Sequence, residues 1–212
     1  MRIRDRGTAG RLLAPVVGRQ DLYDPVVIGL GAGGLAVARE IGAFLNCPVD
    51  LIAVVELDAG DAMHPARSFG ALSADGHLLV RPNNLDQLSS ARSAIRAAIR
   101  RAGAANLGNG GPRAPGPRVA TSWRSVVLVD DGTSGRDVVA AAVDLVRGGR
   151  PGRVVLALPI APQELIDELS PLTGEVIVAR IAPWVEWFHW HGRIYEDDRV
   201  PTGEQVAGMA AG

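Results

Sequence analysis

Val126-Val127-Leu128-Val129-Asp130-Asp131-Gly132-Thr133-Ser134-Gly135 is the stretch that decides how this chain is read. Four aliphatic residues without polar alternation suit a strand covered on both faces, whereas Asp-Asp-Gly-Thr-Ser-Gly belongs in a loop at its carboxyl end. In open α/β sheets ligands bind outside that end. Val138, Val139, Ala142, Val143 and Val146 follow at helical spacing, so the loop opens a helix. The first amides of that helix and the hydroxyls of Thr133 and Ser134 suit a phosphate. The two carboxylates beside them suit ribose hydroxyls or the neighbourhood of Mg2+, so the expected ligand is a sugar phosphate.

Working outward, residues 25–30 read as a second buried strand, followed by the glycine loop Gly31-Ala32-Gly33-Gly34 and a helix over 35–45. A single short apolar run over 49–55 completes a βαβ unit. Gly29, Gly31 and Gly34 also fit G-x-G-x-x-G, with Glu56 as the available acid. That dinucleotide reading remains an alternative, but it leaves the Asp130-Asp131 stretch without a task. Towards the carboxyl end, a strand over 154–159, a helix over 162–169 and a strand over 175–179 continue the alternation. The fold class expected is α/β, a doubly wound parallel sheet in one domain over 1–212.

Composition narrows the chemistry. The chain has 22 basic and 23 acidic residues, a net charge of −1, so no general attraction to nucleic acid or membrane is expected. Every basic residue is Arg, which excludes a lysine Schiff base and the usual P-loop lysine. Cys47 is the only cysteine, so there is no intrachain disulfide and no cysteine-based metal cluster. No apolar run approaches a membrane span and none has signal-peptide character, so a cytoplasmic protein is expected.

The stretch through Asp130 and Asp131 resembles the phosphoribosyl pyrophosphate (PRPP) signature of type I phosphoribosyltransferases, in which a hydrophobic strand leads to two acids and a Thr-Gly loop. Here the loop is one residue short, with Ser134 in the place of Thr, and continues Arg136-Asp137. Leu30-Gly31-Ala32-Gly33-Gly34-Leu35-Ala36-Val37-Ala38 is similar to the family's Leu-Pro-Arg-Gly-Gly-x-x-x-Ala, with the Arg absent. His64-Pro65-Ala66-Arg67 stands where relatives often have Asn-Pro-Glu. Residues 4–14 resemble the amino-terminal helix of one bacterial group of the family, and Gly192-Arg193-Ile194-Tyr195-Glu196-Asp197 resembles that group's closing segment.

The resemblance implies transfer of 5-phosphoribosyl from PRPP to a nitrogen acceptor, with pyrophosphate release and Mg2+ brought by the ligand. It assigns Asp130 and Asp131 to the ribose hydroxyls, Gly132, Thr133, Ser134 and Gly135 to the 5′-phosphate, and Ala32, Gly33 and Gly34 to pyrophosphate. Arg67 is a candidate to replace the missing charge. A hood from about 57–83 and 181–200, a mobile loop over about 103–118 and a homodimer are also implied. Phe69 to Val80 reads as a hairpin turning at Asp75-Gly76. Residues 85–102 read as a helix with Arg92, Arg96 and Arg100 on one face. Trp184, Trp187, Phe188, His189, Trp190 and His191 suit either base stacking or hood and dimer packing. Two other classes stay open: a different reaction on a ribose phosphate, and a non-catalytic PRPP or nucleotide sensor or assembly subunit.

Overall fold

The computed structural model describes residues 2–58, 68–73, 78–80, 96, 119–183 and 194–210. In chain order the first elements are α1 (Arg6–Val17), β1 (Val26–Leu30), α2 (Gly31–Leu45), β2 (Val49–Ile52) and β3 (Val54–Asp58). Then come β4 (Ser68–Ser73), β5 (Leu78–Val80), β6 (Ser125–Val129) and α3 (Arg136–Gly148). The chain continues through β7 (Arg153–Ala161), α4 (Gln163–Thr173), β8 (Val176–Ile181) and α5 (Gly203–Ala210).

Five strands form a parallel sheet in the order β2-β1-β6-β7-β8, as the strand and helix alternation predicts. All five residues of β1 and of β6 are buried, which is why neither shows polar alternation. Ala9, Leu13, Val37 and Ile41 of α1 and α2 cover one face, over Val27, Val127, Val129 and Val155. Val139, Val143 and Val146 of α3 and Leu169 of α4 cover the other, over Val26, Ile28, Val126, Leu128 and Leu156. Each fully buried aliphatic side chain contributes about 1.5–3 kcal/mol.

Two expectations are corrected. Gly31-Ala32-Gly33-Gly34 is not a loop but the opening turn of α2, which starts directly after β1. The missing side chains let this turn approach the sheet: a Cβ on Gly34 would stand 2.5 Å from the Val129 carbonyl oxygen, and one on Gly29 2.4 Å from Leu35. The apolar run over 49–55 is two strands in two sheets. β2 follows β1 only until Ile52 faces Leu30, where β1 ends. With no further ladder partner, the chain leaves at Ala53 and β3 pairs antiparallel with β4.

The second sheet, β3-β4-β5, is antiparallel and contacts α3. Its β4 and β5 pair as the hairpin reading requires, with Gly70 opposite Val80. The turn at Asp75-Gly76, the expected helix over 85–102 apart from Arg96, the segment 103–118, the aromatic run 184–191, and His64, Arg67 and His77 lie outside the described residues. Residues 194–197 return to the amino terminus. The Ile3 amide donates to the Ile194 carbonyl at 3.0 Å, and the Glu196 and Asp197 amides donate to the carbonyls of Ile3 and Arg4 at 2.9 Å each.

Candidate functional site

Strand order locates the site. From β1 the chain crosses to β2 through α2 on one face; from β6 it crosses to β7 through α3 on the other. The crevice outside the carboxyl ends of β1 and β6 is therefore a topological switch point, where α/β sheets bind ligands. Asp130 to Gly135 and the first turn of α2 meet there.

The loop after β6 is folded onto its own acids. Asp130 Oδ1 accepts from the Gly132 amide at 2.8 Å and the Ser134 amide at 3.3 Å, and Oδ2 accepts from the Ser134 hydroxyl. Asp131 Oδ1 accepts from the Thr133 hydroxyl at 2.6 Å and the Thr133 amide at 3.2 Å. These are the turns that Asp favours, with a side chain bonding the backbone two residues on. Their consequence is that the amides of Gly132, Thr133 and Ser134 and both hydroxyls, the groups expected to hold a phosphate, are engaged by the carboxylates expected to hold ribose. The amino-terminal end of α3 suits an anion by its dipole, but the Glu56 carboxylate already stands beside Gly135 there.

Both carboxylates are deeply buried, Asp130 at 2% and Asp131 at 3% exposure. Burial, and after it the charge of Asp131, pushes the Asp130 pKa up to about 6, against the opposing pull of hydrogen bonds from Ser134 and Gly132. Asp131 is held from elsewhere in the chain. Arg6 Nε donates to Asp131 Oδ2 at 2.7 Å, while Arg6 Nη1 donates to the carbonyls of Asp198 at 2.8 Å and Arg199 at 3.1 Å. The guanidinium carbon lies 4.6 Å from the centroid of the Tyr195 ring. Tyr195 in turn donates its hydroxyl to the Asp131 carbonyl at 2.7 Å, and burial raises its pKa.

Gly33 faces this cluster, since a Cβ there would stand 2.1 Å from Asp131 Oδ2 and 2.9 Å from Arg6 Nε. Gly34 faces the backbone of β6, and Ala32 is half-buried in the same turn. At the other side of the loop, a Cβ on Gly135 would stand 2.7 Å from Glu56 Oε1. Glu56 is thus not the acid of a dinucleotide site at the end of β2; it lies on β3, beside the start of α3. Arg136 pairs with Glu168 at 3.4 Å, and Asp137 is buried in the first turn of α3. Among the described residues no group of three or more His, Cys, Asp or Glu could hold a metal. All four carboxylate oxygens of Asp130 and Asp131 are engaged by the loop and Arg6, so the pair presents no ready-made cation cage. Among the described residues no helix is long and apolar enough to cross a membrane.

Arg6 and Tyr195 are the residues that sequence reading did not assign to the site. Both fall in segments singled out for resemblance at the two ends of the chain, and that was the available signal; nothing local brings them to Asp131.

The architecture is that of a doubly wound α/β protein whose polar loops gather at one switch point. No protein-family model matches the chain. Over 181 residues it is 32% identical to the "Putative phosphoribosyl transferase" of Mycobacterium tuberculosis strain H37Rv, covering 82% of this chain and 39% of that protein. The protein of the same description from strain CDC 1551 matches to the same extent. The chain thus spans about two fifths of the length of these curated relatives. The crystal structure of TT1426 from Thermus thermophilus shares 31% identity at a TM-score of 0.76, covering 99% of this chain and 98% of that one. This chain belongs to the type I phosphoribosyltransferase family.

Proposed function

We propose that the protein binds PRPP and transfers its 5-phosphoribosyl group to a nitrogen acceptor, releasing pyrophosphate. The observation that carries this reading is the buried acid pair at the end of β6, running through a hydroxyl-bearing loop into α3 at the switch point. In the reaction the bond from the anomeric carbon to the pyrophosphate oxygen breaks as the acceptor nitrogen bonds that carbon. The transition state is oxocarbenium-like, so the protein acts by positioning and charge stabilisation.

Ligand entry exchanges hydrogen bonds rather than creating them. Thr133 and Ser134 turn their hydroxyls from the carboxylates to the 5′-phosphate, together with Gly132 and Gly135, and Asp130 and Asp131 accept the ribose hydroxyls instead. Ala32, Gly33 and Gly34 face pyrophosphate, and Arg67 supplies the cationic group that Ala32 cannot. Mg2+ carried by PRPP neutralises the diphosphate. Residues 57–83 and 181–200 form the hood that selects the acceptor, and the working unit is a cytoplasmic homodimer.

A second reading, a different reaction on a ribose phosphate or a non-catalytic nucleotide sensor or assembly subunit, is favoured by two features. The loop donors are already engaged, and the Glu56 carboxylate stands beside Gly135 where a phosphate would come.

Calorimetry of PRPP binding with and without Mg2+, on the intact protein and on the Asp130→Asn/Asp131→Asn double variant, tests the site. Magnesium-dependent binding that the variant loses is expected; no binding by the intact protein rejects the PRPP reading. Pyrophosphate release with an acceptor then separates the transferase from a sensor, which would bind a nucleoside monophosphate without turnover.

A further inference from the structure

We propose that Arg6, backed by Tyr195, is a positioning residue of this site: it holds the Asp131 carboxylate in the orientation that receives a ribose hydroxyl. The inference rests on reading the site as one for a ribose phosphate, and extends it to two residues outside both ligand loops.

The two acids are held in different ways. Among the described residues Asp130 is bonded by its own loop, through Gly132 and Ser134. Asp131 is gripped from outside at two points, its Oδ2 by Arg6 and its backbone carbonyl by the Tyr195 hydroxyl. These two groups also touch each other, the guanidinium lying over the tyrosine ring. A guanidinium presents its donors in a rigid planar fork. Once Nη1 is set by the carbonyls of Asp198 and Arg199, the direction of Nε, and with it the position of Oδ2, is set as well. On its other side Oδ2 meets Gly33, so the carboxylate is wedged between Arg6 and the turn that opens α2.

Stability alone gives this pair little purpose. Apolar residues of similar volume usually serve a buried position as well as an ion pair does, because desolvation offsets the attraction. What an ion pair of this geometry supplies is a carboxylate fixed in direction. Thr133 swings away when a phosphate takes its hydroxyl, freeing Oδ1 for the sugar, while Oδ2 stays on Arg6. Lysine cannot substitute, because a single ammonium point charge cannot hold Asp131 and the tail carbonyls in one plane.

The test is equilibrium binding of ribose 5-phosphate, its 2-deoxy and 3-deoxy analogues and inorganic phosphate to the intact protein and to Arg6→Lys and Arg6→Gln. Circular dichroism establishes that each variant is folded. The intact protein is expected to favour ribose 5-phosphate over one of the deoxy analogues by about tenfold, the worth of a hydrogen bond to a charged acceptor. Both variants are expected to lower that preference to about twofold or less while phosphate and that deoxy sugar bind as before. This pattern supports the proposal, since general loosening would lower all the affinities together.

A folded Arg6 variant that keeps the full preference overturns the proposal. An intact protein that binds all three sugars equally also overturns it, while leaving the phosphate end of the site standing. An intact protein that binds no sugar phosphate removes the ribose phosphate reading and this proposal with it. Where both Arg6 variants unfold, Tyr195→Phe decides, because it deletes only the hydroxyl on the Asp131 carbonyl: a lowered preference supports the clamp and an unchanged one overturns it.

Discussion

Asp130 holds its proton to about pH 6 because it is buried beside a second carboxylate. Between the ordinary aspartate value of 3.8 and about 6, the folded state binds more protons than the unfolded chain. Stability therefore falls as pH rises through that window and levels off above it, a loss of about 3 kcal/mol. Asn at this position keeps an oxygen for the Gly132 and Ser134 amides and carries no charge. Asp130→Asn is expected to be more stable than the parent by about 2 kcal/mol at pH 8 and level with it near pH 4, measured by urea unfolding. Equal stability at both pH values would mean that Asp130 is ionised without cost. A gain in stability with loss of PRPP binding would mark a residue kept charged for function.

At the scale of the element, the opening turn of α2 shows why two glycines one residue apart have different tasks. Gly31 has φ +62 and a Cβ there would meet nothing within 4 Å, so Gly31→Ala costs only the left-handed strain of about 1–2 kcal/mol. Gly33 is helical, and alanine would gain about 1 kcal/mol there by propensity alone. Its Cβ would nevertheless stand 2.1 Å from Asp131 Oδ2, and crowding of this kind costs about 1–3 kcal/mol or more. We expect Gly33→Ala to displace Asp131, lower unfolding stability and abolish ligand binding. Gly31→Ala should leave the acid pair in place, and chemical denaturation with calorimetry on both variants checks the contrast.

For the whole molecule, the two ends of the chain close over the central strand. Ile3 lies beside Tyr195, and Arg6 reaches Asp198 and Arg199. A chain ending after residue 193 would leave Arg6 without these acceptors and lose the buried Ile194 and Tyr195, with the hydroxyl on the Asp131 carbonyl. Its unfolding free energy is expected to fall by about 3 kcal/mol or more, measured by urea denaturation; an unchanged value would show that the tail only decorates the fold.

The parallel sheet and the place of the acid pair were legible in the residues. Val126 to Val129 must be covered on both faces, and Asp130-Asp131-Gly132 cannot follow them into the core. The break at Ala53 was not legible, because an apolar run carries no record of where its ladder partner ends. Neither was the self-bonded state of the loop, nor the grip of Arg6 and Tyr195 on Asp131. Sequence alone determined that the acid pair and its hydroxyl-bearing loop stand at the end of a buried strand, since hydrophobic periodicity is a local property. Which of those groups face a ligand and which face one another was decided only by tertiary structure, because contacts between positions 6, 131 and 195 exist only once the sheet has brought them together.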